Sequence, residues 1–426
     1  MRVAGLLSLS ALHLVAYFSF VVLGLPDGML GVAWPSMSGE FAQPLGALGV
    51  LLVGFTVGYL VTTAAAGPLI QNLGFPKHLS LAAGLMTLGG FGMAVSPVWI
   101  VMIAASAVLG GGAGMLDGGL NAYGAKRFRP RDLNWLHAAY GIGATTGPLV
   151  MTPIVASSLS WRLGYVFFGI TAAAALLAFR LSRRRWETGG DQAEETARGM
   201  AEVGEASDGG LGTGHTAPDG TGSPDGTSAP DGVFLVAAGS ILVFFFYTGL
   251  EVVAGQWSYT LFTVGRGIEA GRAGPWISVY WGALTAGRVA FGWVSERFEA
   301  ETLLRATSVT AAVGVVLLWV GTPPFLGAVG LAVLGFSLAP MFPLLIGETP
   351  RRVGEGRSDH IVGLQIAASN IGAVSLVGLV GVLVEAIDLE VIGPALFANA
   401  VVFGLLNELV ARRSRHVRSG DPGAQR

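Results

Sequence analysis

The sequence predicts an all-α membrane protein of twelve transmembrane helices in two pseudo-symmetric six-helix bundles. Three observations predict it: serial long apolar stretches, scarce charge, and one register shared by the two halves. Apolar residues make up 52% of the 426 and charged residues 12%, about half the charge of a soluble domain. The 65 glycines suit helices that pack closely in lipid.

The register is read by adding 225 to the residue number. Gly67-Pro-Leu-Ile-Gln71-Asn72 then falls on Gly292-Trp-Val-Ser-Glu296-Arg297, each just past a long apolar segment. The same shift lays Leu109-Gly110 on Leu334-Gly335 and Lys126-Arg127 on Arg351-Arg352. A shift of 229 lays His137 to Ala144 on Ile366 to Ala373 with five identities in eight. Two such halves facing each other across a bilayer are the architecture of a carrier with alternating access.

Taken in order, stretches near the roughly 20 residues that span a bilayer fall at 8–31, 46–70, 79–96, 98–124, 134–156 and 162–182. The second set is 233–260, 274–296, 302–320, 323–347, 358–384 and 389–411. The first stretch is read as an uncleaved helix, because no small-x-small cleavage site precedes a soluble domain. The bundles are thus drawn at 1–186 and 232–412, with a tail at 413–426. Between them, 187–231 is rich in Glu, Asp, Gly, Thr and Pro, with Pro-Asp-Gly starting at Pro218, Pro224 and Pro230. A tract this polar is expected to be a disordered cytoplasmic tether.

Basic residues set the orientation. With both termini inside, Arg2, Lys77, Lys126, Arg127, Arg180, Arg351, Arg352 and the Arg412–Arg418 cluster are cytoplasmic. The opposite face keeps only Arg162, Arg266 and Arg272. The location expected is the plasma or inner membrane. A net charge of -2 points away from a nucleic-acid partner. The absence of cysteine excludes disulfides and thiolate metal sites. No cofactor is expected, and neither HExxH, a Gly-x-Ser-x-Gly elbow nor a P-loop supports an enzyme.

Ionisable groups within the hydrocarbon zone cost at least about 2.5 kcal/mol each and mark function. Asp27, in Leu25-Pro26-Asp27-Gly28, is read beside a break in the first helix, either binding solute or capping a helix end. Asp117 lies mid-span, one turn before Asn121, so both face one way. Burial disfavours its charge, so it suits substrate binding or proton exchange; the other reading is a buried carboxylate satisfied by neighbouring Asn or Tyr groups. Glu251 lies 224 beyond Asp27 and is pseudo-equivalent to it. Gln256 and Trp257 follow, an amide and a flat apolar face that suit a sugar; the other reading makes Trp257 an interfacial anchor. Arg288, the one basic residue placed within a span, is read as a latch to a neighbouring acid. His137 either shuttles protons or packs. Gln365, Asn370 and the pair Tyr280-Trp281 either line a cavity or join helices.

These features resemble the major facilitator superfamily. Its loop motif Gly-x-x-x-Asp-Arg-x-Gly-Arg-Lys is matched by Gly67-Pro-Leu-Ile-Gln71-Asn72-Leu-Gly74-Phe-Pro-Lys77, with Gln71 and Asn72 in place of the charged pair. The second-half loop keeps Gly292, Glu296 and Arg297. The resemblance implies gating roles for Gly67, Gly74, Gly287, Arg288, Gly292, Glu296 and Arg297. A narrower likeness is to the fucose permease branch and its sodium-dependent glucose transporter-like relatives. It rests on Asp117-x-x-x-Asn121, Asn134-Trp-Leu-His137, Gly141-x-Gly143-Ala144-x-x-Gly147-Pro148, Tyr247-x-Gly249-x-Glu251-x-x-x-Gly255-x-Trp257 and Gly287-Arg288-x-x-x-Gly292. This likeness implies that Asp117 and Asn121 take part in sugar recognition and proton coupling, with Asp27 a counterpart of a first-helix acid.

The reading is therefore a secondary transporter of a small polar solute, a sugar first, by proton symport. Asp117 is the first proton carrier, with Asp27, Glu251 and His137 as the others. Sodium is the alternative ion, and a proton-driven exporter of drugs or metabolites is the alternative function. The expected partners are the solute and the lipid bilayer, with the monomer as the working unit.

Overall fold

The computed structural model describes residues 2–207, 231–294 and 297–419, and every regular element among them is helical. In the first half the helices are α1 (Arg2–Glu40), α2 (Leu48–Ala64), α3 (Ala66–Leu73), α4 (Phe75–Val95), α5 (Trp99–Arg127), α6 (Pro130–Ala156) and α7 (Arg162–Ser207). In the second they are α8 (Asp231–Thr260), α9 (Ala270–Val294), α10 (Ala300–Val320), α11 (Phe325–Leu338), α12 (Met341–Val353), α13 (Glu355–Ala386) and α14 (Ile392–Ser419). With α2–α3 and α11–α12 each taken as one broken span, these make the twelve spans expected.

Ten of the twelve are long and apolar enough to cross a membrane by length and composition. The other two, α6 and α9, are diluted by Gly, Thr, Ser and polar aromatics such as Tyr140, Tyr280 and Trp281. Both pack at the centre of the molecule, α6 between α1 and α9, and α9 between α6 and α11. Helices shielded by other helices tolerate such residues, whose hydrogen-bonding groups find partners there.

Two sequence expectations are corrected. The first helix does not break at Pro26: α1 runs on to Glu40 with Pro26 and Pro35 inside it. Gly24 and Gly28 flank that point and lie against the α6 backbone at Tyr140 and Ala144, and this packing carries the helix through the missing hydrogen bond. The polar tract after residue 186 is also not irregular from its start, because α7 continues to Ser207. Its Glu-, Ala- and Arg-containing stretch is made of good helix formers. The Pro-Asp-Gly triplets lie outside the described residues up to Pro230.

The duplication is visible in backbone contacts. A Cβ added at Gly110 would strike the Phe55 carbonyl, and one at Gly335 would strike that of Tyr280. Gly89 lies on Leu109 as Gly314 lies on Leu334, and Gly143 on Val21 as Gly372 on Phe245. Each pair is carried onto the other by the shifts of 224, 225 and 229 read from the sequence. Close approach without a side chain between lets van der Waals contact hold helices together where lipid supplies no hydrophobic drive.

The halves meet through α1 with α8, α6 with α9, and the 3-10 turn Leu45–Ala47 and α2 with α13. On the side opposite the chain termini these contacts are tight. Gly46 and Gly49 face Gly381 and Gly378, and the Gly46 N–H donates to Glu385 Oε1 at 2.8 Å. Gly31 touches Gly255 and Gln256, and Gly274 abuts Thr152. Nearer the termini, Asn134, Trp135 and His137 of α6 are exposed. The cleft between the halves is thus closed away from the termini.

Candidate functional site

Helix packing positions each acid. Gly24 and Gly28 draw α1 onto α6, and there the Tyr140 hydroxyl donates to the Asp27 carboxylate. Gly110 and Gly114 draw α5 onto α2 at Phe55 and Tyr59. The Tyr59 hydroxyl consequently reaches Asp117 Oδ2 at 2.6 Å, while Asn121 Nδ2 donates to Oδ1 at 2.9 Å. In α8, Tyr247 lies one turn before Glu251 and donates to its carboxylate. Each intramembrane acid therefore holds a phenol.

The second half adds a cation. Arg288 Nη2 of α9 stands 3.7 Å from Glu251 Oε1, with side-chain exposures of 28% and 13% that leave the pair open to the cleft. Tyr280, also on α9, donates to the Glu251 carbonyl oxygen at 2.7 Å. The two halves are joined at this level, because Gln256 Nε2 of α8 donates to the Asp27 carbonyl oxygen at 3.0 Å. Asp27 also lies within electrostatic influence of Glu251 and Tyr59, and His137 within that of Asp117 and Arg288. Groups from α1, α2, α5, α6, α8 and α9 thus converge on one cleft. Three carboxylates face one guanidinium, an imbalance that favours protons or a solute without negative charge.

Among the buried atoms toward the closed end of this cleft that have no hydrogen-bond partner among the described residues are Gln256 Oε1, Trp281 Nε1 and Thr152 Oγ1. The Trp281 ring lies against Gly255, next to Gln256. At the end of α6 nearest the termini, Asp132 pairs with Arg129 at 2.9 Å and faces His13 at 3.7 Å. The Arg129 hydrogen bond holds the Asp132 carboxyl below the usual carboxylate range.

Several expected site residues make their hydrogen bonds within the second bundle. Trp257 is fully buried in the second bundle, its Nε1 donating to Val377 O at 3.2 Å, so its ring packs a helix joint in this conformation. Gln365 is buried and accepts from Thr349 Oγ1 at 3.0 Å, joining α13 to α12. Asn370 donates back to Ile366 O of its own helix at 2.9 Å. Tyr280 is buried and acts on the Glu251 backbone. In the loop motif, Gly74 ends α3 at φ 77°, the left-handed region where glycine is at ease. A Cβ at Gly67 or Gly292 would meet nothing within 4 Å, so neither holds a closed gate in this conformation. Gly287 is packed on Phe336 and Ala339, and Arg297 is exposed. Glu296 lies outside the described residues.

Sequence reasoning allowed Asn or Tyr neighbours for Asp117 but named no particular phenol for any of the acids. Tyr247 was within reach of it, four residues before Glu251 on one helix face. Tyr59 and Tyr140 bond acids on other helices, and only the packing brings them there.

Residues 16–411 match the Major Facilitator Superfamily. The chain belongs to that superfamily. As such it is a multi-pass transporter in a lipid bilayer with a small-molecule substrate. Among curated proteins it is similar to Bypass of stop codon protein 6 of Saccharomyces cerevisiae, 23% identical over 398 residues, covering 88% of this chain and 77% of the relative. Its fold is similar to the inward open xylose transporter XylE from E. coli, with TM-score 0.66 and 14% identity over 92% of this chain and 95% of that one. It is also similar to the E. coli fucose:proton symporter FucP, with TM-score 0.56 and 15% identity over 94% and 98% of the two chains. A POT family transporter bound to 5-aminolevulinic acid matches with TM-score 0.69 and 9% identity over 96% of each. These likenesses establish the fold.

Proposed function

We propose that this transporter carries a small hydroxyl-rich solute, a sugar, in symport with protons by alternating access. The observation that carries the reading is the convergence of Asp27, Asp117 and Glu251, each held by a phenol, on one cleft shared by both halves. Two solved relatives in fold are named as sugar carriers, and one of them as a proton symporter, which agrees with this chemistry.

In this reading Asp117 is the coupling carboxylate. Among the described residues it has no cation within salt-bridge distance, and Tyr59 and Asn121 satisfy it. A phenol can donate to the charged carboxylate or accept from the protonated acid, so both states are accommodated as the cleft opens and closes. In this reading His137, exposed on α6 and under the electrostatic influence of Asp117, relays protons. Asp27 and the Glu251–Arg288 pair sense the solute from opposite halves. The chain termini are placed in the cytoplasm, because nearly all basic loop residues lie on their side. The closed side then faces out, and the conformation is inward-facing.

The test is transport in proteoliposomes under an imposed pH gradient. Asp117→Asn is expected to abolish uphill sugar accumulation while solute exchange continues at a comparable rate. Full accumulation by this variant would remove Asp117 from the coupling role. Gradient-driven efflux of an amphipathic cation, with no sugar uptake, would turn the assignment to an exporter.

A further inference from the structure

The ends of α4 and α7 nearest the termini enclose a groove of about 580 Å³ lined by Lys77, Ser80, Leu81, Gly84, Arg180 and Arg183. Three of the six are cations, and none is an acid. Lys77 and Arg180 are exposed, and neither has a carboxylate within salt-bridge distance among the described residues. Ser80 already donates to Pro76 O at 2.9 Å, so the cations dominate what the groove attracts.

The groove is polar at one end only. Lys77, Leu81, Gly84 and Leu88 recur at helical spacing along one face of α4. Leu81 and Leu88 are exposed, as are Leu177 and Leu181 of α7. A Cβ at Gly84 would meet nothing within 4 Å, leaving an open floor beside these leucines. The charged end lies at the boundary of the spans and the apolar stripe runs inward from it. A headgroup with an acyl chain beneath it has this polarity.

The second half supplies a contrast at the corresponding ends of α10 and α14. There Arg305 and Arg412 both bind Glu408 at 2.7 Å, and Arg415 binds Glu301. The second bundle brings its own carboxylates to its basic end. Among the described residues, no carboxylate lines the groove of the first bundle.

We propose that this groove binds one anionic phospholipid, its phosphate between Lys77 and Arg180 and an acyl chain along Leu81, Gly84 and Leu88. The site is separate from the central cleft, and its occupancy does not depend on which solute is carried. Clustered cations between spans recognise acidic headgroups in this way.

The experiment uses the full-length protein in nanodiscs of phosphatidylcholine with a minor fraction of phosphatidylglycerol, read by native mass spectrometry and by thermal unfolding. Removing two interfacial cations in Lys77→Gln/Arg180→Gln is expected to weaken phosphatidylglycerol retention about 30-fold. It should also erase the thermal stabilisation that this lipid confers. The charge-preserving Lys77→Arg/Arg180→Lys variant should keep both, which separates electrostatic recognition from a folding defect. Equal retention by wild type and the Gln variant would overturn the proposal. So would loss in the charge-preserving variant, or full stabilisation by glycerol phosphate alone, which would make the groove a site for soluble anions.

Discussion

The two bundles share a scaffold and differ in the charge placed on it. Backbone contacts repeat between them: Gly110 on Phe55 matches Gly335 on Tyr280, and Gly89 on Leu109 matches Gly314 on Leu334. The charges do not repeat. In the first bundle Asp27 and Asp117 are held by phenols with no cation within salt-bridge distance among the described residues, whereas Glu251 in the second faces Arg288. On the side opposite the termini the signs are exchanged. Arg162 at the start of α7 binds Glu40 of α1 together with the Ala94 and Ser96 carbonyls that end α4. In the second bundle the arginine is Arg266 just past α8 and the acid is Glu390 just before α14, with the Leu318 and Trp319 carbonyls that end α10. A duplicated fold therefore constrains where helices touch and leaves the sign of a polar clasp free, provided the helix-end carbonyls still find donors.

The largest effect tests the shared scaffold. Gly110→Leu and Gly335→Leu should each cost about 3 kcal/mol or more, because the new side chain must displace a helix backbone. Both should lose the monodisperse peak in size-exclusion chromatography. Tolerance of one alone would show that the bundles are not packed alike.

Next comes the pair unique to the second bundle. Arg288→Gln leaves Glu251 buried without its counter-charge, a loss of about 2–3 kcal/mol for a pair this accessible to the cleft. Transport should be restored in part by adding Glu251→Gln, which removes the stranded charge. A double variant no better than the single would mean that Arg288 does not act through Glu251.

The clasps should respond with about 2 kcal/mol. Arg162→Ala removes charge-assisted bonds to Glu40 and to two carbonyls, and the thermal midpoint should fall accordingly. The exchange Glu40→Arg/Arg162→Glu copies the arrangement of the second bundle, so it should recover much of that loss. Failure to recover any would confine the sign exchange to its present context.

The smallest effect concerns the phenols. Tyr59→Phe and Tyr140→Phe each delete one hydrogen bond to an acid, worth about 1 kcal/mol. The apparent proton affinity of uptake should change by about fivefold. Tyr247→Phe should change it less, since Arg288 still faces Glu251. An equal change in all three would erase the distinction between the bundles at the site.

By itself the sequence determined the class of fold, the twelve spans, the offset between halves and which acids lie within spans. Apolar length, scarcity of charge and the cost of burying a carboxylate are local properties, and they survive without knowledge of neighbours. It left two readings open for Trp257 and for Gln365 because residue type says that a side chain can bond, and not whether its helix turns it to the cleft or to a bundle interior. It expected a break at Pro26, where packing of Gly24 and Gly28 on α6 keeps α1 helical. Only the tertiary structure decided that Tyr59 reaches Asp117, that Tyr140 reaches Asp27, and that the cleft is closed opposite the termini. Helical periodicity fixes which residues share a face, but the rotation and approach of one helix against another arise from close backbone contacts distant in sequence.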